Sequence, residues 1–393
     1  MTQRSATTWL FVDAVPDFGG HEVMLLRWLQ ALQAPGTPIR PALLARAEGR
    51  LQQQAPAGLA CPPLPARAPL WRELAALVRQ VRALRPECVV VASGALGAHV
   101  PHVLLLRLMG QRVLVYVPLL GTFASMGYRL GHWKDRFVRW FYARVPRGWV
   151  AITAGQAAEF QRWARPAAPV FVLPNTVAPA IEQAARLPVR ALVAGAALRV
   201  LVLGRLDAHQ KGLDLLLAQL AQAGPARLAG LRLCLVGDGP YRPQIAALLA
   251  AQPTLAQHLE LRPWMAAHEA LAASDVLLLA SRYEGVPLVM LEAMALGVPV
   301  VCSDLPGTRP YVPADCRFAV GEIGAALDIL HGLRPAARRQ ALADAGRATF
   351  DAQASGAAFQ QHVQQLTQAV RAHFSLVSGA APAAPLRTRF PKA

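Results

Sequence analysis

Residues 281–301 read SRYEGVPLVMLEAMALGVPVV, and their pattern of apolar residues and glycines decides the fold. From Pro287 to Leu296 the run is almost entirely apolar, and proline suits the first turn of a helix. A helix that is apolar on every side is a buried helix. Gly297 ends this helix, and residues 298–301 read as a buried strand that follows it.

Short apolar runs of strand length recur along the whole chain, with helical stretches between them. In the first half they are residues 8–13, 88–92, 112–117, 149–153 and 170–173. In the second half they are residues 199–203, 231–236, 258–261, 275–280 and 298–301. Apolar strands that alternate with helices indicate parallel sheets covered on both faces. We therefore predict an α/β protein with two doubly wound, Rossmann-like domains that face each other across a cleft.

A Pro- and Ala-rich stretch before Leu198 is interpreted as the linker, which gives an N-terminal domain over 1–178 and a C-terminal domain over 195–350. A further helical stretch covers 359–370, and the basic tail at 376–393 is predicted to be disordered. Ligands of such folds bind at the carboxyl ends of the strands, so the cleft is the expected site.

Composition excludes several classes of protein. With 54% hydrophobic and 16% charged residues the 393-residue chain is globular, and its apolar runs are too short to span a membrane. Asp13 interrupts the N-terminal apolar stretch, which makes a poor signal peptide, so a cytoplasmic protein is expected. The cysteines are odd in number and form no Cys-x-x-Cys, so they predict neither a disulfide framework nor a zinc site; they are Cys61, Cys88, Cys234, Cys302 and Cys316.

The net charge of +17 is unevenly distributed. Residues 1–195 hold 22 Lys and Arg against 9 Asp and Glu, whereas the remainder holds 18 against 14. A basic N-terminal half indicates an anionic partner, such as a membrane surface, a phosphorylated lipid or nucleic acid. Because 37 of the 40 cations are Arg, part of the excess reflects a general compositional bias.

Two glutamates stand out in the opening stretch. Glu292 lies within the apolar helix, where an ionised carboxylate needs either a protein cation or ligand hydroxyls as its partner. Glu284 lies in the loop before the helix, whose free N–H groups and dipole attract anions. The spacing suits an extended ligand with phosphate at the helix start and hydroxyl-rich groups on either side.

Other residues that could bind phosphate lie just after predicted strands. Arg205 ends the strand 199–203, and Lys211 opens the next helix, so both could direct positive charge into the cleft. Near the N-terminus, Gly19 and Gly20 would let the backbone approach a phosphate closely. The chain has neither a GxGxxG nor an Asp-x-Asp in these turns, which argues against a dinucleotide dehydrogenase and against a metal-held diphosphate.

Taken together, the ordered motifs resemble family 4 retaining glycosyltransferases of GT-B fold (glycosyl transferases group 1). They are GGHE at 19–22, GRL and KGLD within 204–214, VGDGP at 236–240 and the opening stretch at 281–301. The resemblance covers about residues 10–370 and implies an enzyme that moves a hexosyl or related sugar from a nucleoside-diphosphate sugar to a glycan or lipid-linked acceptor. It also implies a donor site in the C-terminal domain, an acceptor site in the N-terminal domain, and a helix at about 355–375 that packs back on the N-terminal domain.

Carried over residue by residue, the resemblance assigns Arg205 and Lys211 to the diphosphate and Glu284 to the transferred sugar. Glu292 would accept the ribose hydroxyls. The remaining donor-binding residues would be Gly19, Gly20, Gly285, Val286 and Leu288, with Arg262 and Trp264 in the segment that matches where the family holds the base. No metal or other cofactor is implied, and the donor phosphate would take the proton of the acceptor.

Two departures from the family pattern concern the acceptor side. Many members carry a His after the strand at 113–117, where this chain reads Val-Pro-Leu-Leu-Gly. His99 and His102 are near in sequence, but single histidines are more often structural. The Gly-Gly-x-x-Glu that is common after the last strand reads Pro-Gly-Thr-Arg-Pro at 306–310.

The segment 129–149 places large aromatic side chains beside cations. The residues proposed for an acceptor or a membrane surface are Arg129, Trp133, Lys134, Arg136, Arg139 and Trp140. This pattern suits a membrane interface with anionic lipids, or a helix that packs on its own domain with a solvated basic face. We favour packing for the aromatic residues and an anionic acceptor or bilayer for the cations, which predicts a peripheral enzyme at the inner membrane face.

Two alternative functions remain open. A non-catalytic Arg-rich protein that binds polyanions would explain the charge but leave the phosphate-handling motifs without a role, and nucleic acid is not expected as a partner. An epimerase or phosphorylase of the same fold would share the donor site. Detection of sugar transfer, instead of isomerised or phosphorylated sugar, separates the last two from a transferase.

Overall fold

The computed structural model describes residues 7–14, 19–47, 49–56, 58–59, 63–64, 69–92, 97, 99–119, 123 and 130–377. Its described residues form two parallel sheets of six strands each. The tail from 378 and the predicted acceptor residue Arg129 lie outside this range.

The N-terminal sheet has the strand order β2-β1-β3-β4-β5-β6. Its strands are β1 Thr7–Asp13, β2 Ile39–Ala45, β3 Cys88–Ala92, β4 Val113–Val117, β5 Gly148–Ala151 and β6 Val170–Val172. The helices of this half are α1 Gly20–Leu32, α2 Arg50–Gln53, α3 Leu70–Leu84, α4 Val100–Leu108, α5 Gly131–Arg144 and α6 Ala154–Ala164. The short helix α7, Pro179–Glu182, leads into the second half.

The C-terminal sheet has the order β12-β11-β10-β7-β8-β9. Its strands are β7 Leu198–Leu203, β8 Leu231–Val236, β9 Leu259–Arg262, β10 Val276–Leu279, β11 Val300–Ser303 and β12 Arg317–Phe318. The helices are α8 Leu213–Gln222, α9 Gly224–Leu228, α10 Arg242–Ala251, α11 Pro253–Ala256, α12 Ala267–Ala272, α13 Leu288–Leu296, α14 Ile323–Gly332, α15 Ala336–Gln353 and α16 Gly356–Val377, with a 3₁₀ turn at Ala314–Cys316.

This architecture confirms the predicted class, two doubly wound α/β domains. The predicted runs match ten of the strands to within two residues, but β2 and β12 were missed. β2 contains Arg40 and Pro41, and proline is tolerated there because β2 lies at the edge of its sheet. β12 is only two residues long, too short for a pattern to show.

Helix α13 is buried as its sequence predicts. Most of its residues, from Met290 onward, are enclosed, and Gly297 ends it in the left-handed conformation at φ 78°. Proline caps the helix at position 287 instead of occupying its first turn. One apolar cluster joins α1 of the first half with α13 of the second, so α13 lies where the two halves meet.

The long helix α16 returns to the N-terminal half. The Gln360 side chain donates a hydrogen bond to the Ala31 carbonyl at 3.0 Å, and the Arg112 guanidinium lies over the Phe374 ring. Thr176, just after β6, donates to the Ala354 carbonyl at 2.7 Å between α15 and α16. These contacts attach α16 to the first domain.

Candidate functional site

The residues predicted to bind the donor phosphates lie at the point where the winding of the C-terminal sheet reverses. Strands β7 and β10 are neighbours there, and the chain leaves them in opposite directions along the sheet. Doubly wound sheets bind their ligands in the crevice at such a switch point. The loop 204–212 follows β7, and the loop 280–287 follows β10.

Close backbone packing brings these two loops together. Gly212 has φ +64°, and a Cβ on it would overlap the Ala280 carbonyl oxygen. The Arg282 N–H donates to the Gln210 carbonyl at 2.9 Å. Because only glycine fits at position 212, the neighbouring Lys211 is placed beside the second loop.

Lys211 and Glu284 meet directly. The Lys211 Nζ forms an ion pair with Glu284 Oε1, and the Ser281 hydroxyl donates to the same oxygen at 3.0 Å. Both charged side chains are still reached by solvent, with exposed fractions of 22% for Lys211 and 10% for Glu284. The two residues that the sequence assigned to different parts of the donor thus neutralise each other in the free protein.

The Arg282 side chain connects the two loops to each other and to α8. This role could not be predicted from the sequence. Its guanidinium donates to both oxygens of Asp214, at 2.6 and 2.7 Å, and to the His209 carbonyl at 2.9 Å. Partial burial opposes ionisation of Asp214, but the hydrogen bonds from Arg282 prevail and lower the pKa of that carboxyl. The pair fixes the loop that carries Glu284 to the start of α8.

The VGDGP turn supports the same loop. A Cβ on Gly237 would overlap the Gly204 carbonyl, and one on Gly239 would crowd the Leu206 backbone. The Leu206 N–H donates to the Asp238 carbonyl at 2.9 Å. The glycines of this motif therefore allow two loops to pack backbone to backbone.

Arg205 does not join the Lys211–Glu284 pair. Its guanidinium donates to the Gln210 side chain at 3.0 Å and lies 3.8 Å from the Asp207 carboxylate, with 63% of the side chain exposed. No hydrogen bond or ion pair links it to Lys211 or Glu284 within the part of the chain that the structure describes. Its exposure leaves it able to rotate toward a ligand.

Glu292 lies half-buried on α13, and among the described residues no cation pairs with it. Removal from water raises the pKa of this carboxyl, and a weak interaction with His268 opposes the rise. Of the two partners that the sequence left open, a protein cation is therefore not found. A carboxylate held out of water without a partner is suited to accept hydroxyls from a ligand.

The start of α13 offers free N–H groups. Among described residues, those of Gly285, Val286 and Leu288 have no hydrogen-bond acceptor. The Val286 carbonyl accepts from the buried Asn175 amide at 3.1 Å, so a residue that follows the first sheet fixes this loop. Asn175 is a site residue that sequence reasoning missed, because its partner lies 111 positions away.

Further glycine contacts tie this loop to its surroundings. A Cβ on Gly285 would overlap the Pro118 carbonyl of the N-terminal half, and one on Gly307 would overlap the Gly285 carbonyl. The Pro-Gly-Thr-Arg-Pro departure thus keeps the glycine that the loop requires. The cleft is narrow at this point.

The two N-terminal glycines behave differently from each other. The Gly19 N–H already donates to Glu22 Oε2 at 2.7 Å, which caps α1, so its proposed role in holding phosphate is not favoured. Gly20 faces the Leu288 side chain across the cleft, at ordinary contact distance for an added Cβ. Only Gly20 lies against the donor loop.

Of the two residues predicted to contact the base, Arg262 and Trp264, one already has a protein partner. The Arg262 guanidinium donates to both oxygens of Glu260, at 2.9 and 3.1 Å, so it is held along the strand. Trp264 is exposed and presents a free ring surface. A flat aromatic ring suits stacking on a base.

His99 and His102 are core residues. Burial lowers the pKa of His99 to about 3 and that of His102 to about 4, so both are neutral near pH 7. His99 Nε2 accepts the Ala14 N–H at 3.3 Å, and His102 lies 3.5 Å from Glu73. Neither replaces the family histidine that is absent after β4.

The aromatic side chains of helix α5 are more exposed than the sequence analysis predicted. Trp133, Phe137 and Trp140 are exposed, and Phe141 and Tyr142 are buried on the opposite face. The interpretation that the aromatic residues pack on their own domain is therefore wrong for the first three. They share an outer surface with four exposed cations, Lys134, Arg136, Arg139 and Arg144.

No helix among the described residues combines the length and hydropathy that crossing a bilayer requires.

Comparison with known proteins agrees with this geometry. Residues 197–325 match the family described as Glycosyl transferases group 1. The sulfoquinovosyl transferase SQD2 of Arabidopsis thaliana is 32% identical over 126 residues, which cover 31% of this chain and 22% of that protein. The putative glycosyltransferase EpsF of Bacillus subtilis (strain 168) is 33% identical over 132 residues, or 33% of this chain and 32% of that protein.

Solved structures match nearly the whole chain. HepE of Anabaena, crystallised with UDP-glucose, gives a TM-score of 0.73 at 16% identity and covers 92% of this chain and 100% of its own. Sucrose-phosphate synthase of Thermosynechococcus elongatus gives 0.71 at 18% identity, with 93% and 99% covered. The segment that carries Lys211, Glu284 and Glu292 is similar to the Glycosyl transferases group 1 family, and the whole chain has the two-domain GT-B fold.

Proposed function

We propose that the protein is a retaining glycosyltransferase that moves a sugar from a nucleoside-diphosphate sugar to a glycan or lipid-linked acceptor without a metal in the reaction. The observation that carries this proposal is the meeting of Lys211 and Glu284 at the start of α13. The carboxylate of Glu292, with which no cation among the described residues pairs, lies farther along the same helix. This arrangement fits one ligand with an anionic centre and hydroxyls on both sides.

When the donor binds, Lys211 and Glu284 give up their contact with each other and take ligand groups as partners. The diphosphate oxygens take Lys211 from Glu284, and the N–H groups at the start of α13 add donors that need no reorganisation. The released Glu284 carboxylate accepts hydroxyls of the transferred sugar. Arg205, exposed in the neighbouring loop, rotates onto the phosphate, and Glu292 accepts the ribose hydroxyls.

The transfer step leaves the sugar in its original anomeric configuration. The bond from the anomeric carbon to the phosphate oxygen breaks, and a bond to the acceptor oxygen forms on the same face. The departing phosphate oxygen takes the acceptor proton. Lys211 and the helix start stabilise the charge that grows on the phosphate as the bond breaks.

The first donor to test is a uridine diphosphate sugar, because HepE, which has the same fold, was crystallised with UDP-glucose. A panel of nucleoside-diphosphate sugars is screened, with a chelator present, for thermal stabilisation and for slow hydrolysis. One donor is expected to raise the melting temperature, and NMR of the released sugar is expected to show the anomer of the donor.

Two variants test the site, and one controls for loss of charge. Lys211→Ala and Glu284→Ala are expected to weaken both responses. Lys134→Ala removes the other described lysine, on exposed α5, and is expected to leave them unchanged. An inverted product, a metal requirement or release of an isomerised sugar would each contradict the proposal.

On the acceptor side, we place a lipid-linked or envelope glycan at the N-terminal half, with the enzyme peripheral at the inner face of the cytoplasmic membrane. The outer face of α5 combines exposed aromatic rings with cations, as interfacial helices do. Each cation near an anionic surface contributes about 1 kcal/mol.

Vesicle sedimentation tests this placement. The full chain is expected to bind vesicles that contain anionic lipid and to be released by salt, and Trp133→Ala with Trp140→Ala is expected to weaken binding. Trp264→Ala removes an equally exposed tryptophan from the other domain and serves as the matched control. Equal loss in the control, or binding to neutral vesicles alone, would exclude α5 as the membrane surface.

A further inference from the structure

One buried side chain of the first half is bonded to the donor loop, residues 280–287. Asn175 follows strand β6, and its amide nitrogen donates to the Val286 carbonyl at 3.1 Å. Because a carbonyl can only accept, the nitrogen end of the amide must face the loop. Two residues earlier, the Leu173 N–H donates to the Ala151 carbonyl at 2.8 Å and so continues the pairing of β6 with β5. The bond of Asn175 therefore joins the N-terminal sheet to a loop of the C-terminal half.

The carbonyl that accepts this bond lies between two free N–H groups of the loop. Its peptide unit joins Val286 to Pro287, and proline has no N–H, so the carbonyl is the only hydrogen-bonding group of that unit. The N–H groups of Val286 and Leu288, which have no acceptor among the described residues, belong to the units on either side. Since a peptide unit is planar, the amide that fixes this carbonyl also limits the directions in which both N–H groups point.

The residue after Asn175 is bonded to the place where the chain returns to the first half. The chain leaves that half after β6 and returns between α15 and α16, and we call these two segments the chain crossings. The Thr176 hydroxyl donates to the Ala354 carbonyl at 2.7 Å. Glu182 accepts the Gly356 N–H at 2.9 Å. The two crossings are thus bonded to each other, next to the residue that holds the donor loop.

Composition and burial indicate that Asn175 is present for its N–H group. It is the only asparagine among the 393 residues, so this chain does not use asparagine as a general polar residue. The side chain is 5% exposed, and its Oδ1 is buried without a hydrogen-bond partner among the described residues. A buried acceptor without a partner costs stability, so an apolar residue of the same size would serve packing better. The bond to the donor loop accounts for the amide.

We propose that Asn175 is a positioning residue that couples the donor loop to the chain crossings. It acts through Val286, because its amide holds the free N–H groups of the loop in the direction of the diphosphate. Phosphate on those groups in turn stabilises the bond to Asn175, since coupling between two sites is reciprocal. This coupling rests on the proposed function, which assigns the loop to a diphosphate, and it makes donor binding depend on the place where the two halves meet.

Two substitutions separate the N–H group of Asn175 from the shape of its side chain. Asn175→Leu keeps the size of the side chain but cannot donate at any pH. Asn175→Asp cannot donate while its carboxylate is ionised, but once protonated it offers an O–H to the same carbonyl. Burial raises the pKa of such a carboxyl, so its protonation falls within the range in which the protein can be studied.

Calorimetric titration measures the affinity for uridine, adenosine and guanosine diphosphate between about pH 5 and about pH 8, as the ratio of variant to wild type. We expect Asn175→Leu to bind the preferred nucleotide about tenfold more weakly at every pH. Asn175→Asp should be as weak where its carboxyl is ionised and should recover where it is protonated. Recovery over the whole range has the same meaning, because the carboxyl then stays protonated. Wild-type affinity in Asn175→Leu, or no recovery in Asn175→Asp, would overturn the proposal.

Hydrogen exchange tests the coupling with and without a ligand. In ligand-free Asn175→Leu, the backbone N–H groups of residues 284–290 and 176–182 are expected to exchange about threefold faster than in wild type or more. The preferred nucleotide should slow exchange at residues 353–357 in wild type but not in this variant. Unchanged exchange of the ligand-free variant, or equal slowing in both proteins, would show that the loop and the crossings are not coupled through Asn175.

Gln156→Glu is the matched control. Gln156 is another amide of the first half, 7% exposed, and its Nε2 has no hydrogen-bond partner among the described residues. Its replacement adds a buried carboxyl without removing a bond to the donor loop, so nucleotide affinity and loop exchange should match wild type. Equal weakening in this control would overturn the role of the Asn175 N–H. A wild type that binds none of the three nucleotides would contradict the proposed function, and ligand-free exchange would still decide the coupling.

Discussion

The two halves of the molecule have the same architecture but use their switch points differently. In the C-terminal half, Lys211 and Glu284 are partly open to solvent and form one balanced ion pair. In the N-terminal half, where the winding reverses between β1 and β3, Asp13 and Glu22 are enclosed, and His21 forms an ion pair with each of them. An open pair can exchange its partners for a ligand at low cost, whereas enclosed charges keep the partners with which they fold.

The comparison therefore assigns turnover to one crevice and structural support to the other. If it is right, substitutions at the C-terminal crevice change catalysis more than stability. Substitutions in the polar cluster of the N-terminal crevice change stability first.

The largest expected effect is that of Lys211→Gln. We expect kcat/KM to fall by about 100-fold or more, because a cation that stabilises charge in the transition state is lost. The melting temperature changes little, since the pair is partly exposed. Steady-state kinetics of donor hydrolysis, a reaction that needs no acceptor, measure this change, and Lys134→Gln is the control. A fall in kcat/KM of less than threefold would contradict the catalytic role assigned to the C-terminal crevice.

Gly307→Ala is expected to have the next largest effect. A methyl group at this position overlaps the Gly285 carbonyl, so the donor loop has to shift, at about 1–3 kcal/mol of stability and with weaker donor binding. Thermal unfolding and donor titration measure both effects. Gly346→Ala, in helix α15 with ordinary contacts to Met294, is the control and should be neutral or slightly stabilising. Wild-type donor binding in Gly307→Ala would exclude the packing that we describe.

The pH dependence of stability sharpens the comparison on the N-terminal side. Burial holds the pKa of His102 at about 4 against an ordinary value of 6.5, so in acid the unfolded chain binds a proton that the folded chain does not. Its contribution is complete above pH 6.5 and is lost as the pH falls toward 4. Denaturant unfolding of wild type is expected to lose a few kcal/mol over this range, with His99 adding in the same direction.

His102→Gln cannot gain this charge, so its loss of stability over the same range should be smaller. His331→Gln, at an exposed histidine on the other domain, should follow the wild-type curve. Parallel curves for all three proteins would show that His102 is not kept neutral by burial.

The smallest effects are expected for Glu292→Gln, which should raise the stability of the protein but lower its affinity for the donor. Burial raises the pKa of Glu292, so its ionised form costs stability at neutral pH and is more costly as the pH rises above the ordinary carboxyl range. Glutamine removes this cost, and we expect about 0.5–1 kcal/mol of added stability. Donor affinity should fall about tenfold, because charge-assisted bonds to the ribose become neutral ones. Lower stability together with unchanged affinity would make Glu292 a structural residue.

The sequence predicted the parts of the molecule that depend on local pattern. Helix α13 and its C-terminal glycine followed from an apolar run closed by Gly297, and Lys211 and Glu284 were each identified from their loops. Their direct pairing could not be predicted, because it depends on Gly212 fitting against Ala280. The roles of Asn175 and Gly307 likewise arise from long-range contacts.

Two other differences have physical reasons that a single sequence does not display. The aromatic residues of α5 follow a helical period that fits either face, and only tertiary packing decides that Phe141 turns inward and Trp133 outward. Asp13 lies eight residues before His21, and the fold of β1 against α1 brings them together. Sequence therefore indicated the chemistry of the donor side better than that of the N-terminal crevice.

A crystal structure with the nucleoside-diphosphate sugar found in the screen tests the central claim most directly. We predict that Lys211 Nζ leaves Glu284 and contacts the diphosphate at the start of α13, with Glu284 on the transferred sugar and Glu292 within hydrogen-bonding distance of the ribose. A bound donor elsewhere, or one that leaves the Lys211–Glu284 pair intact and Glu292 without a ligand, would contradict it.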